Sequence, residues 1–119
     1  MEHEEHAALL SFEATTDEYS AIHHVIDCYI FYLEAALPPS ADRRLIIAAL
    51  HSLRLRPREQ HGNTVSWQCS HAEALAFAGA AMCYSRLITM AMPYSIGEAE
   101  TKRLVIGFQK RYLDSLKPQ

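Results

Sequence analysis

Three Ser/Thr-x-x-Glu boxes divide this chain into helical units: Thr15-x-x-Glu18, Ser70-x-x-Glu73 and Ser95-x-x-Glu98. In each, a hydroxyl and a carboxylate stand where the first-turn N–H groups of a helix lack partners. Ser40, after Pro38-Pro39, is a fourth candidate cap. Prolines supply the stops, because a ring nitrogen cannot donate and the residue before it avoids the helical region. Pro38, Pro93 and Pro118 therefore place helices near residues 17–37, 41–52, 71–92 and 96–116, with the second ended by a change of pattern.

That change runs from Ser52 to Ser70. Arg54, Arg56 and Arg58 alternate with Leu53, Leu55 and Pro57; Gly62-Asn63 signals a turn; Val65, Trp67 and Cys69 then alternate with Ser66 and Gln68. The alternation predicts a β-hairpin with Leu53, Leu55, Val65 and Trp67 on one face and Arg54, Arg56 and Ser66 on the other. Pro57 confines its first strand to an edge or shortens it. The competing reading extends helix 2 to Arg56 and leaves an irregular loop. The expected fold is thus all-α: a four-helix bundle-like domain, with a short β-hairpin between helices 2 and 3. At 119 residues it is expected to be one domain, residues 1–14 forming an acidic N-terminal arm.

Two helices carry an excess of apolar residues. In helix 1, Tyr19, Ile22, Ile26, Tyr29 and Leu33 form a stripe, and Asp27 is the only charge in residues 25–33. Helix 3 holds a single charge, Arg86, between Ala74 and Met92. Its small residues Ala72, Ala76, Ala80 and Cys83 would admit a close helix, with Gly107 of helix 4 as the candidate facing position. Arg86 argues for a buried helix and against a membrane span. So much apolar surface in a small domain predicts self-association through helices 1 and 3.

Charge is unevenly distributed in a chain of net charge −3. Residues 1–18 hold acids and no Lys or Arg, whereas residues 43–58 hold five arginines and no acid. The mild acidity argues against a nonspecific nucleic-acid coat. Three cysteines without a CxxC spacing, and an acidic N-terminus without a signal-like apolar stretch, point to a cytoplasmic, reducing setting.

In an up-down bundle the start of helix 1, the end of helix 2, the start of helix 3 and the end of helix 4 share one pole. That pole is expected to collect His23, His24, Asp27, His51, Arg54, His71 and, farther out, Lys110 and Arg111, with Arg56, Arg58, His61 and Trp67 projecting on the hairpin. Forked arginine donors, free helix N-termini and a stacking Trp67 suit an anion or nucleotide. A metal reading rests on His23 with Asp27, His24 with Cys28, and Cys69 near His71, but no spacing matches a zinc signature. No nucleophile-base arrangement or glycine-rich phosphate loop is present, and no cofactor is expected. The expected function is a non-enzymatic interaction protein, homo-oligomeric, presenting this basic, His-rich pole to an acidic protein or small anion. The alternative is a nucleic-acid-binding regulator using Arg54, Arg56 and Arg58 as a phosphate-contacting wing.

Overall fold

In the computed structural model, which describes residues 9–90, 96–114 and 116, strands and helices share one core. The order is β1 (Leu10–Thr15), α1 (Thr16–Ala36), α2 (Ala41–Arg54), β2 (Arg58–His61), β3 (Thr64–Cys69), α3 (His71–Met90) and α4 (Ile96–Phe108), which runs on into a π-helical turn, Gln109–Leu113. The expectation of an all-α bundle is overturned. The fold is mixed α/β, with an antiparallel three-stranded sheet in the order β1-β3-β2.

The extra strand comes from the segment expected to be an acidic arm. Leu10, Phe12 and Ala14 alternate with Ser11 and Glu13, and Phe12 and Ala14 are buried. β1 pairs with β3 from Leu10↔Cys69 to Thr15↔Thr64, which places Phe12 opposite Trp67 and Ala14 opposite Val65 on the covered face. The sheet ends where α1 begins, because Thr15 serves both. Its N–H donates to Glu18 Oε1 and its hydroxyl accepts from the Glu18 N–H, both at 3.0 Å.

The hairpin exists, but it starts later than its alternating arginines suggested. α2 continues to Arg54, so Leu53 is a buried helical residue and Leu55 is 82% exposed. The first strand is only Arg58–His61, beyond Pro57. Gly62 takes φ +64°, the left-handed conformation that favours glycine in a two-residue turn. Asn63 then anchors the turn to α1, its carbonyl accepting the Thr16 N–H at 2.9 Å.

The helix caps follow the sequence where they are described. Ser40 caps α2 through the Arg43 N–H at 3.0 Å, and Ser70 caps α3 through the Glu73 N–H at 3.1 Å. The box at Ser95 lies outside the described residues. α1 has no basic residue in its last turn, and α2 supplies one: Arg43 donates to the carbonyls of Leu33 and Leu37 at 3.3 and 2.8 Å.

An aromatic cluster joins the layers. Phe12 of β1 meets Trp67, Phe108 and Tyr112 with ring centroids 5.9, 5.7 and 5.1 Å apart. Trp67 stacks on Phe108 at 5.8 Å and meets Tyr19 edge-on at 5.1 Å. Ile22, Val25, Ile26 and Ile30 of α1 are all buried in the core that includes these sheet residues, and Leu33 is buried as well. Much of the apolar excess that suggested a second subunit is therefore covered within the chain. Phe31 at 73% and Leu45 at 69% exposure are what remains on α1 and α2. Gly107 does not face α3, since a Cβ built on it would meet nothing within 4 Å. No helix among the described residues is long and apolar enough to cross a membrane.

Replacing Phe12 by Ala should cost about 3–5 kcal/mol of unfolding free energy, read as a lower urea midpoint. A loss under about 1 kcal/mol would show that β1 contributes little to the core.

Candidate functional site

Arg54, Arg56 and Arg58 do not share a face as alternation would have them, because they stand in the end of α2, the link and the start of β2, and their side chains go to two different helices. The middle one goes to α3. Arg56 Nε donates to Glu73 Oε1 at 2.9 Å, and the same oxygen accepts the Ser70 N–H at 2.8 Å. The other carboxylate oxygen accepts the Ser52 hydroxyl at the end of α2. Among the described residues Glu73 is the buried charged side chain, 4% exposed, and three hydrogen-bond donors explain how it stays ionised there. Burial pushes its carboxyl up, but Ser52, Ser70 and Arg56 together outweigh that effect and hold it below its ordinary 4.5.

The outer two arginines go to α1. Tyr19, His23 and Asp27 lie four residues apart along one face of that helix. Arg58 lies over the Tyr19 ring, 5.3 Å from its centroid, and Tyr19 packs against His23 at 4.5 Å. Arg54 Nη1 pairs with Asp27 Oδ1 at 3.0 Å. His23 is thus half-buried between two guanidinium groups. Burial lowers its pKa first, Arg54 and Arg58 lower it further, and Asp27 opposes them, leaving it below the ordinary 6.5. Among the described residues Arg58 has no carboxylate partner.

The other residues singled out from the sequence are dispersed. Trp67 is buried in the aromatic cluster with one face stacked on Phe108, and only its margin reaches the depression beside Arg58. His24 turns toward the far side of α1, its Nε2 3.5 Å from Cys28 Sγ and its ring edge-on to Tyr84. His51 is exposed on α2, and His71 is half-buried at the start of α3. His61 is exposed at the hairpin turn, 4.0 Å from the Glu59 carboxylate. Burial and the nearby Glu73 push the Cys69 thiol up to about 12, so it rests as a neutral core residue. Among the described residues no group of three His, Cys, Asp or Glu side chains is placed to hold a metal ion.

Two contacts at this end go beyond the expectation that placed Arg111 only at the outer margin of the pole. Arg111, in the π-helical turn, grips Glu18 through both carboxylate oxygens at 3.2 and 2.9 Å, and its Nη2 also donates to the Glu13 carbonyl on the edge of β1 at 3.3 Å. Its guanidinium lies over the Phe108 and Tyr112 rings. Tyr19, read only as a core position, separates Arg58 from His23. The Tyr19-x3-His23-x3-Asp27 spacing was the available signal. A depression of about 560 Å³ lies across the sheet beside Arg58, lined also by Leu9, Ser11, Pro57 and Gln68.

Comparison of the chain with protein-family models, with curated proteins and with solved structures returns no match.

Because the Glu73 pKa is depressed on folding, its contribution to stability is complete above pH 4.5 and is lost as pH falls through the folded value. Glu73→Gln should therefore cost about 2–4 kcal/mol near neutral pH and flatten the acid limb of the stability profile. Urea titrations across pH check both, and an unchanged acid limb would remove Glu73 from the account.

Proposed function

We propose that this is a non-enzymatic interaction protein that binds an acidic protein surface or small anion through the end of the fold carrying Tyr19, His23, Arg54 and Arg58. The observation that carries the reading is Arg58. It is exposed, held over an aromatic ring and without a carboxylate among the described residues, whereas Arg56 is committed to the buried Glu73. A guanidinium positioned by a ring keeps its forked donors for a ligand. The proposal includes a cytoplasmic, reducing setting, supported by the free thiols of Cys28, Cys69 and Cys83.

The nucleic-acid alternative loses support from the same geometry. A phosphate-contacting wing needs its arginines together, and Arg56 turns to α3 while Arg54 and Arg58 turn to α1. Trp67 is buried, with one face already stacked on Phe108. Calorimetry at low salt with a polyglutamate peptide and a generic single-stranded DNA separates the readings. The expected result is peptide binding that Arg58→Ala weakens about tenfold, equivalent to about 1.4 kcal/mol, with an unchanged circular dichroism spectrum. Binding to neither probe overturns the proposal. DNA binding alone, falling steeply with salt, replaces it with the alternative.

Self-association is proposed as a second property, on a separate observation. Tyr29 of α1, Leu45, Ile46 and Ala49 of α2, and Ala76 and Gly79 of α3 line an apolar groove of about 370 Å³. A Cβ built on Gly79 meets nothing within 4 Å, so no contact within the described chain accounts for this mid-helix glycine. Leu45 projects from the rim of the same groove. Knob and hole on one patch suit a two-fold contact between copies, in which each satisfies the other. Sedimentation should show a dimer at tens of micromolar that Leu45→Glu dissociates; a strict monomer rejects self-association.

A further inference from the structure

We propose that the face of α1 between Arg54 and Arg58, with His23 at its centre, is a proton-linked site for a dianionic tetrahedral oxyanion, either a phosphate or a sulfate group. The proposal rests on the reading of this end as an anion-binding surface, and it names the ligand chemistry and the residue that gates it.

The geometry sets the donors. Tyr19 and Asp27 are eight residues apart on a helix, about 12 Å along its axis. One holds the guanidinium of Arg58 and the other that of Arg54. His23 lies midway between them and packs on Tyr19. An oxyanion over His23 can reach both guanidinium groups through N–H···O⁻ hydrogen bonds of about 2.8 Å, given small rotamer changes in two exposed side chains. The donors come from three elements, α1, α2 and β2, and a tetrahedral anion presents oxygens in more than one plane to meet them, which a planar one does not. Charge argues the same way. Arg54 already holds one carboxylate, Asp27, so a monoanion would merely exchange with it, whereas a dianion adds charge to satisfy Arg58 and His23 as well.

The groups facing His23 explain the proton linkage. Tyr19 and Asp27 come from its own helix, Arg54 from α2 and Arg58 from β2. Burial first, and then two cations against one anion, disfavour imidazolium in the empty site. Adding a dianion reverses that balance, so anion and proton bind with positive coupling and each strengthens the other by the same factor.

Sulfate is the clean probe, because it stays dianionic across the range in which histidine titrates. Calorimetry of the full chain should show sulfate binding about tenfold tighter near pH 5.5 than near pH 8. Imidazole proton NMR should show the His23 titration moving to higher pH as sulfate is added. His23→Gln should retain binding at high pH and lose most of that pH dependence, while Arg58→Ala removes binding at both. A phosphoserine peptide compared with inorganic phosphate then separates a modified side chain from a free anion as the source. Arg58-dependent anion binding with no movement of the His23 titration overturns the proton linkage and leaves the acidic-partner reading standing. Sulfate failing to bind while polyglutamate binds overturns the oxyanion assignment. Failure of every anion removes both.

Discussion

A single buried carboxylate ties this fold together at the point where its helices and its sheet meet. Glu73 caps α3, receives the last turn of α2 through Ser52, and holds the connection to the hairpin through Arg56. An ionised group so deeply placed is tolerable only when its lone pairs are filled, and these three donors come from separate parts of the chain. The interaction therefore acts as a geometric constraint more than as a large source of net stability. It holds the end of α2 and the link to β2 against the start of α3.

The consequence at the surface follows from the break between α2 and β2. Strict alternation would put all three arginines on one face, but Arg54 lies in the last turn of α2, Arg56 in the link and Arg58 in β2, so Arg56 reaches Glu73 while Arg54 and Arg58 reach Asp27 and Tyr19. A basic run that looks uniform in sequence becomes one internal tie and two outer arms. The face these arms bracket on α1 owes its character to a contact on α3. Arg111 plays a comparable role, joining the turn after α4 to Glu18 and to the edge of β1.

Much of the helical framework was legible because capping and termination are local. Thr15–Glu18, Ser40 and Ser70–Glu73 act within one turn, and their hydrogen bonds are found in place. β1 was harder to see. Leu10, Phe12 and Ala14 do alternate, but they are three residues in an acidic stretch, and their reason to be a strand is a partner about fifty to sixty positions away. The arginine alternation was over-read as strand because period two is also what remains when a helix ends and an irregular link follows. At the candidate site, Asp27 was marked by its isolation in an apolar run, which its pairing with Arg54 explains. Trp67 was misplaced because an amphipathic residue beside arginines resembles a binding platform until β1 and α4 cover it. The π-helical turn that aims Arg111 left no sequence mark.

The strand order has a consequence for how the chain reaches this state. β3 is central, flanked by β2 from its own hairpin and by β1 from the other side of two helices. The hairpin closes a short loop, whereas β1 must close a long one across α1 and α2. During synthesis β1 emerges before its partner strand exists, so its apolar residues, Phe12 above all, wait unpaired until Cys69 has been added. Ser11 and Glu13, alternating with them, place polar groups along that waiting strand and resist its pairing with another copy in the interval.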